Sequence, residues 1–185
     1  MRKGLFFLGI LNDADLEWLL AIGRQEDIAT GTVLIQEGTP IEALFLVLDS
    51  AFSVSAAKLG RQEIARLRCG EVVGEISFVD ARLPSATVQA VVPSRVFVIS
   101  RQHLVTKLAH DPHFAARFYH ALAVFLADRL RRTTSQLGYG KSEPRMTETA
   151  DEDELSPTVL EWVSLAGTRL DWMLRRLRDA PLQET

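Results

Sequence analysis

Residues 74–90 read GEISFVDARLPSATVQA. The stretch opens on the pair Gly74-Glu75, carries one arginine, Arg82, with Pro84 two residues further on, and closes in the β-like run ATVQA. Where Arg82 and Pro84 fall decides whether the loop can hold an anion, and what lies on either side of it decides the fold.

Upstream of the loop, from residue 31 onward, the texture is a series of short β-rich runs separated by turn signals: TVLIQ, then EGTP, ALFLVLD, AFSVSA and QEIARL. ATVQAVV and RVFVIS continue the series beyond it. Short strands at such regular spacing suggest a barrel or a jelly roll. Before them, Asn12 followed by Asp15, then Leu16, Trp18, Leu19, Leu20 and Ile22, gives an N-cap and an apolar helical face ending at Gly23. MRKGLFFLGIL is the lead-in to this helix, expected over 12–23.

At Arg101 the pattern becomes helical again with QHLVTKLA. Asp111-Pro112 then supplies an N-cap with proline at the first helical position. The long helix expected over 112–137 carries Phe114, Phe118, Leu122, Phe125, Leu126 and Leu130 at three- and four-residue steps, a stripe expected to be buried. KSEPRMTETADEDEL at 141–155 has few apolar side chains and a dense acidic block, which marks a linker. Ser156-Pro157 restarts a helix whose Val159, Val163, Ala166, Leu170, Met173 and Leu177 form a coiled-coil-like seam. A lone helix of this length is marginal in water, so it is expected to dock.

Composition bounds the function classes. With 47% hydrophobic and 24% charged residues in 185, the chain is an ordinary globular protein, long enough for one good core and an appendage. Its apolar runs are too short to span a bilayer, and a secretory cleavage site is not evident, so a cytoplasmic protein without a membrane segment is expected. A net charge of −3 argues against coating nucleic acid through bulk charge. The single Cys69 excludes an internal disulfide or a multi-cysteine metal site. His110 and His113 flank a helix start with no further ligands beside them, so no metal is expected. There is no serine elbow, Walker loop or HExxH motif, so no enzyme is expected either.

A helix, a roll of short strands with a Gly-Glu loop late in it, and then a long helix: this order resembles the cyclic-nucleotide-binding domain of the catabolite activator and protein kinase A regulatory families. EGTPIEALFLVL at 37–48 is similar to that family's EG-turn and following strand, and GEISFVDARLPSATVQA to its phosphate-binding cassette. The resemblance covers residues 5–140. It implies an α+β fold: an antiparallel β-roll of the double-stranded jelly-roll barrel type flanked by helices, with a long C-helix and, here, an extra C-terminal helix. The expected division is a cyclic-nucleotide-binding-like domain over 1–140, the acidic linker 141–155 and the amphipathic helix 156–180.

A cyclic phosphate is a monoanion, and its burial calls for backbone N–H donors, a hydroxyl and a guanidinium that can fork onto two oxygens. By resemblance, Glu75 binds the ribose, Gly74 gives the tight approach, Ile76 and Ser77 begin a short helix, and Ser85, Ala86 and Thr87 face the phosphate. Laid against the kinase-type pattern, the sequence places Pro84 where the phosphate arginine belongs; Arg82, two residues earlier, is a candidate ligand contact only if the loop is rearranged to turn it inward, and is otherwise a solvated turn arginine. Losing one member of a close charged pair costs about 2–5 kcal/mol, roughly a 30-fold to several-thousand-fold loss of affinity. The expected ligand is therefore cyclic AMP or cyclic GMP, another nucleotide or small anion, or none. Thr133 and Thr134, in ADRLRRTTSQLG at 127–138, stand where the catabolite activator presents adenine-contacting hydroxyls.

The resemblance also implies a homodimer through the long helix, using Phe114, Phe118, Leu122, Phe125, Leu126 and Leu130; the same stripe could instead cover the roll. A winged helix-turn-helix is not legible after residue 140, so direct DNA binding is not expected despite Arg175, Arg176 and Arg178. The terminal helix, with Trp162 and Trp172 off its seam, offers either a surface for a protein partner or a simple packing element.

Overall fold

The structure is a computed structural model and describes residues 6–49, 51–80, 82–139 and 157–179. The linker expected over 141–155 lies outside the described residues. Two short helices, α1 (Phe6–Ile10) and α2 (Asp13–Ile22), lead into the strands β1 (Arg24–Ile28), β2 (Val33–Ile35), β3 (Ala43–Asp49), β4 (Ala51–Ser55), β5 (Glu63–Arg68) and β6 (Val72–Val73). The four-residue helix α3 (Ile76–Val79) precedes β7 (Thr87–Ala90) and β8 (Ser94–Ser100); α4 (Arg101–His110), α5 (Pro112–Tyr139) and α6 (Pro157–Asp179) complete the order.

The strands pair antiparallel in two four-stranded sheets, β1-β8-β3-β6 and β2-β7-β4-β5. The expected barrel is thus an open sandwich. Edge strands β2 and β6 have only three and two residues, too few to carry a hydrogen-bonded ladder from one sheet to the other. β1 was not legible as a strand, because RQEDI is mostly polar and lies at an edge, paired only with β8.

Successive side chains of a strand point to opposite faces, and the two longest strands use this to serve two cores. Val47, Val96 and Val98 face Phe52, Leu67 and Val88 between the sheets. Leu44, Leu46, Leu48, Phe97 and Ile99 face the helices, where they meet Phe7, Leu16, Leu19, Phe114 and Phe118. This explains why ALFLVL and VFVI are apolar without alternation: both faces are buried. Each large apolar side chain so buried contributes about 1.5–3 kcal/mol.

The helix starts follow their caps. Asn12 accepts from the Asp15 backbone at 2.8 Å while the Asp15 carboxylate accepts from the Asn12 backbone at 3.0 Å, a reciprocal capping box. Asp15, 5% exposed, also takes a two-pronged ion pair from Arg117 at 2.6 and 2.8 Å, tying α2 to α5. Asp111 caps α5 by accepting from the Phe114 backbone at 2.9 Å.

On α5, Phe114, Phe118, Leu122 and Phe125 are buried in the chain's own helical core and Leu126 is partly buried against it. The expectation that Leu130 is buried with them fails: it is 67% exposed, because the helix runs beyond the core after Leu126. The terminal helix docks on its own chain. Ala166, Leu170 and Met173 of the expected seam are at most 3% exposed in the same core. Arg169 of α6 donates through Nη1 to the carbonyls of Leu8 (3.0 Å), Gly9 (3.1 Å) and Leu11, and through Nη2 to Asp13 at 2.8 Å. It therefore satisfies the orphan carbonyls at the end of α1. The helices approach so closely that a Cβ on Gly9 would stand 2.3 Å from the Trp162 carbonyl oxygen. Trp162 also meets His120 of α5 edge-on at 5.6 Å. No described helix is long and apolar enough to cross a membrane.

Candidate functional site

The quoted loop begins where β6 ends. Gly74 has φ of +90°, a conformation L side chains rarely adopt, and a Cβ there would meet the Ala43 carbonyl oxygen at 3.2 Å. This turn delivers Glu75 inward, to 2% exposure, directly before α3. Ile76, the first residue of α3, is exposed and Ser77 is buried. The far side of α3 is held by Arg101, which donates to the Ser77 carbonyl at 3.1 Å and lies 4.5 Å above the Phe78 ring.

The Glu75 carboxylate is met by Arg129, which reaches in from α5 and donates through Nη1 to Oε1. Arg129 is itself 34% exposed and stacks over Phe125 at 5.2 Å. Burial pushes the Glu75 carboxyl above its ordinary range; the Arg129 guanidinium and the nearby backbone N–H groups of Glu75 and Gly74 draw it back, without cancelling the cost of burial. A carboxylate inside the roll and the long helix outside it are thus joined by one ion pair.

The remaining loop residues do not converge on it. Arg82 points away: its side chain is 85% exposed, 3.8 Å from Asp80, and its backbone N–H donates to Asp80 at 3.0 Å. Pro84 ties the loop to the EG-turn, its carbonyl accepting from Gly38 at 2.9 Å. Thr87 does the same with its hydroxyl, which accepts from the Glu37 backbone at 3.1 Å and Gln36 at 3.3 Å. Ser85 is exposed and Ala86 half-buried. Thr133 and Thr134 are exposed on α5, and their hydroxyls donate to the carbonyls of Arg129 (3.0 Å) and Leu130 (2.9 Å) one turn back. Gly74, Glu75 and α3 therefore form one cluster with Arg129; Arg82, Ser85, Thr133 and Thr134 stand outside it.

Arg129 was missed by the sequence reading. ADRLRRTTSQ offers three arginines, Arg129, Arg131 and Arg132, with no local signal to say which of them meets a buried acid. Among the described residues, no three His, Cys, Asp or Glu side chains gather as metal ligands.

The comparisons with known proteins agree with this architecture. The family model described as the cyclic nucleotide-binding domain matches residues 25–111. Similar solved structures include a cyclic nucleotide-binding domain from Methylobacillus flagellatus, 21% identical with a TM-score of 0.66, covering 78% of this chain and 86% of that one. A putative cyclic nucleotide-binding protein from Geobacter metallireducens is 19% identical with a TM-score of 0.61, over 67% of this chain and 91% of that one. The catabolite activator protein of Thermus thermophilus is 21% identical with a TM-score of 0.58, over 95% of this chain and 87% of that one. No curated protein sequence matches the chain. At these identities the structural likenesses show the fold alone, and it is the fold of the domain whose family model matches residues 25–111.

Proposed function

We propose that this chain is a regulatory module of the cyclic-nucleotide-binding fold, without catalytic or DNA-binding output, whose phosphate cassette has lost its central guanidinium at Pro84. The observation that carries this reading is the Glu75–Arg129 ion pair, which links the cassette to α5. Whatever occupies the cassette competes with Arg129 for Glu75, and so biases how α5 is held. Because α5 and α6 pack on the same core, the displacement is passed to the terminal helix. Self-association uses the face of α5 around the exposed Leu130, the phenylalanines being engaged within the chain.

Hydrogen exchange tests the linkage. Glu75→Gln removes the charge that holds Arg129, so amides of α5 from residue 126 onward should exchange about tenfold faster, an opening free energy lower by about 1.4 kcal/mol. Unchanged exchange there would mean that the pair does not couple cassette and helix.

A second reading, a ligand-free interaction module, is favoured by one observation: Arg82 is exposed on Asp80 and the Thr133 and Thr134 hydroxyls are back-bonded, so a ready-made anion site is not assembled. Calorimetric titration of cyclic AMP, cyclic GMP and cyclic dinucleotides separates the two, since only the first reading allows any of them to release heat in competition with Arg129.

A further inference from the structure

The hairpin that joins β4 to β5 projects from the sandwich. All ten residues from 57 to 66 are exposed, among them two large aliphatic side chains, Leu59 at 57% and Ile64 at 48%. Residues 57–68 carry four cations, Lys58, Arg61, Arg66 and Arg68, against one carboxylate, Glu63, a net charge of +3 on a chain whose total is −3. Arg66 is paired with Glu63 at 2.6 Å, whereas Lys58, Arg61 and Arg68 meet no carboxylate at ion-pair distance among the described residues. Elsewhere on the surface cations commonly sit in pairs, as in Arg24–Glu26, Arg95–Asp27 and Lys107–Asp111. The base of the hairpin is anchored by the Glu37 carboxylate, which accepts from the Ala57 N–H at 2.8 Å. At the tip, Gly60 and Arg61 both have positive φ, 68° and 60°. An arginine thus presents its charge where glycine would fold more easily.

An acidic protein, a nucleic acid or an anionic lipid surface would answer this charge, and side-chain chemistry separates them. Single strands are gripped by aromatic stacking, and protein interfaces are centred on aromatic anchors. Residues 57–68 contain no aromatic side chain. A protruding tip of aliphatic side chains ringed by unpaired cations fits a surface that is negatively charged and accepts methylenes at any point, as a layer of anionic lipid does. We propose that the β4–β5 hairpin docks the protein on an anionic membrane surface, with Leu59 and Ile64 entering the headgroup region while Lys58, Arg61 and Arg68 meet the lipid phosphates. The proposal draws on no residue of the cassette, so its failure leaves the proposed function intact.

Flotation of the whole chain with vesicles tests it, using phosphatidylcholine alone and phosphatidylcholine with about one-third phosphatidylserine. Binding should appear only with phosphatidylserine and should fall about tenfold or more from low to physiological salt. Arg61→Gly removes a cation while relieving the positive φ, so it costs the fold little, and vesicle binding should drop about fivefold. Lys58→Gln should act likewise, and the two together should lower binding about 25-fold. Leu59→Ser should weaken binding without changing its dependence on salt. No binding to phosphatidylserine vesicles at low salt, equal binding to both kinds of vesicle, or full binding by the Lys58→Gln, Arg61→Gly double variant overturns the proposal. So does hairpin-dependent binding to polyglutamate or polyuridylate in place of vesicles, which would assign the patch to an acidic protein or a nucleic acid.

Discussion

Arg129→Gln should destabilise the fold more than Glu75→Gln, and it should do so in a pH-dependent way. Removing one partner of a buried ion pair costs about 3–5 kcal/mol when the other stays buried and charged. Glu75, 2% exposed, is the partner left behind in Arg129→Gln, whereas in Glu75→Gln the partner left behind is Arg129, which is 34% exposed and rehydrates. Because Arg129 already meets solvent, the lower end applies: about 3 kcal/mol for Arg129→Gln, against about 1 kcal/mol for Glu75→Gln, the worth of a hydrogen bond made weaker. For a chain of this size that separates the melting temperatures by about 4–8 °C.

The pH dependence has a definite sign. Burial raises the Glu75 carboxyl above its ordinary value of 4.5 in the folded protein, so the folded state holds the proton where the unfolded state has released it. The stability this group contributes is fully present below 4.5 and is lost as pH rises through the folded value. Arg129 is what limits that loss, so the deficit of Arg129→Gln should be small near pH 4.5, grow as pH rises, and be largest at neutral pH. Urea unfolding of wild type, both single variants and the double variant, at acid and neutral pH, measures all of this in one set. The double variant should resemble Glu75→Gln. Equal stability of the two single variants at neutral pH, or a deficit in Arg129→Gln that ignores pH, refutes the reasoning.

Other parts of the structure make shorter predictions. Arg169→Met leaves the Leu8, Gly9 and Leu11 carbonyls without their donor and should cost about 2–3 kcal/mol in thermal or urea unfolding; Arg169→Lys should recover little, since one ammonium cannot span those carbonyls and Asp13. Gly9→Ala drives a Cβ against the Trp162 backbone and should cost about 1–3 kcal/mol while shifting tryptophan fluorescence as α6 is displaced; no change in either would show that α6 does not pack there. Light scattering at tens of micromolar should give a dimer for wild type and a monomer for Leu130→Asp, and a wild-type monomer removes self-association from the proposal.

The fold was legible because its signals were local. The Asn12 and Asp15 capping box, Asp111-Pro112 before α5, and the regular strand spacing each depend on residues near one another in sequence. β1 escaped because an edge strand has no need of apolar residues, and Leu130 was misplaced because helical periodicity does not tell where a helix outruns its core. In the site, Gly74 and Glu75 were visible from their own loop, and Pro84 from its place in the motif. Arg129 was not, since its partner lies 54 positions away and only the packing of α5 over the sheet brings them together. The same packing decides the fate of Thr133 and Thr134, whose hydroxyls turn to their own helix.

The central claim, that the cassette has lost its grip on phosphate at Pro84, is tested most directly by the affinity of wild type and Pro84→Arg for cyclic AMP, measured by calorimetry under identical salt. The account predicts no micromolar binding by wild type and a gain of at least about 30-fold in the variant, the equivalent of about 2 kcal/mol restored by one charged contact. Micromolar binding by wild type with no gain in Pro84→Arg would contradict it.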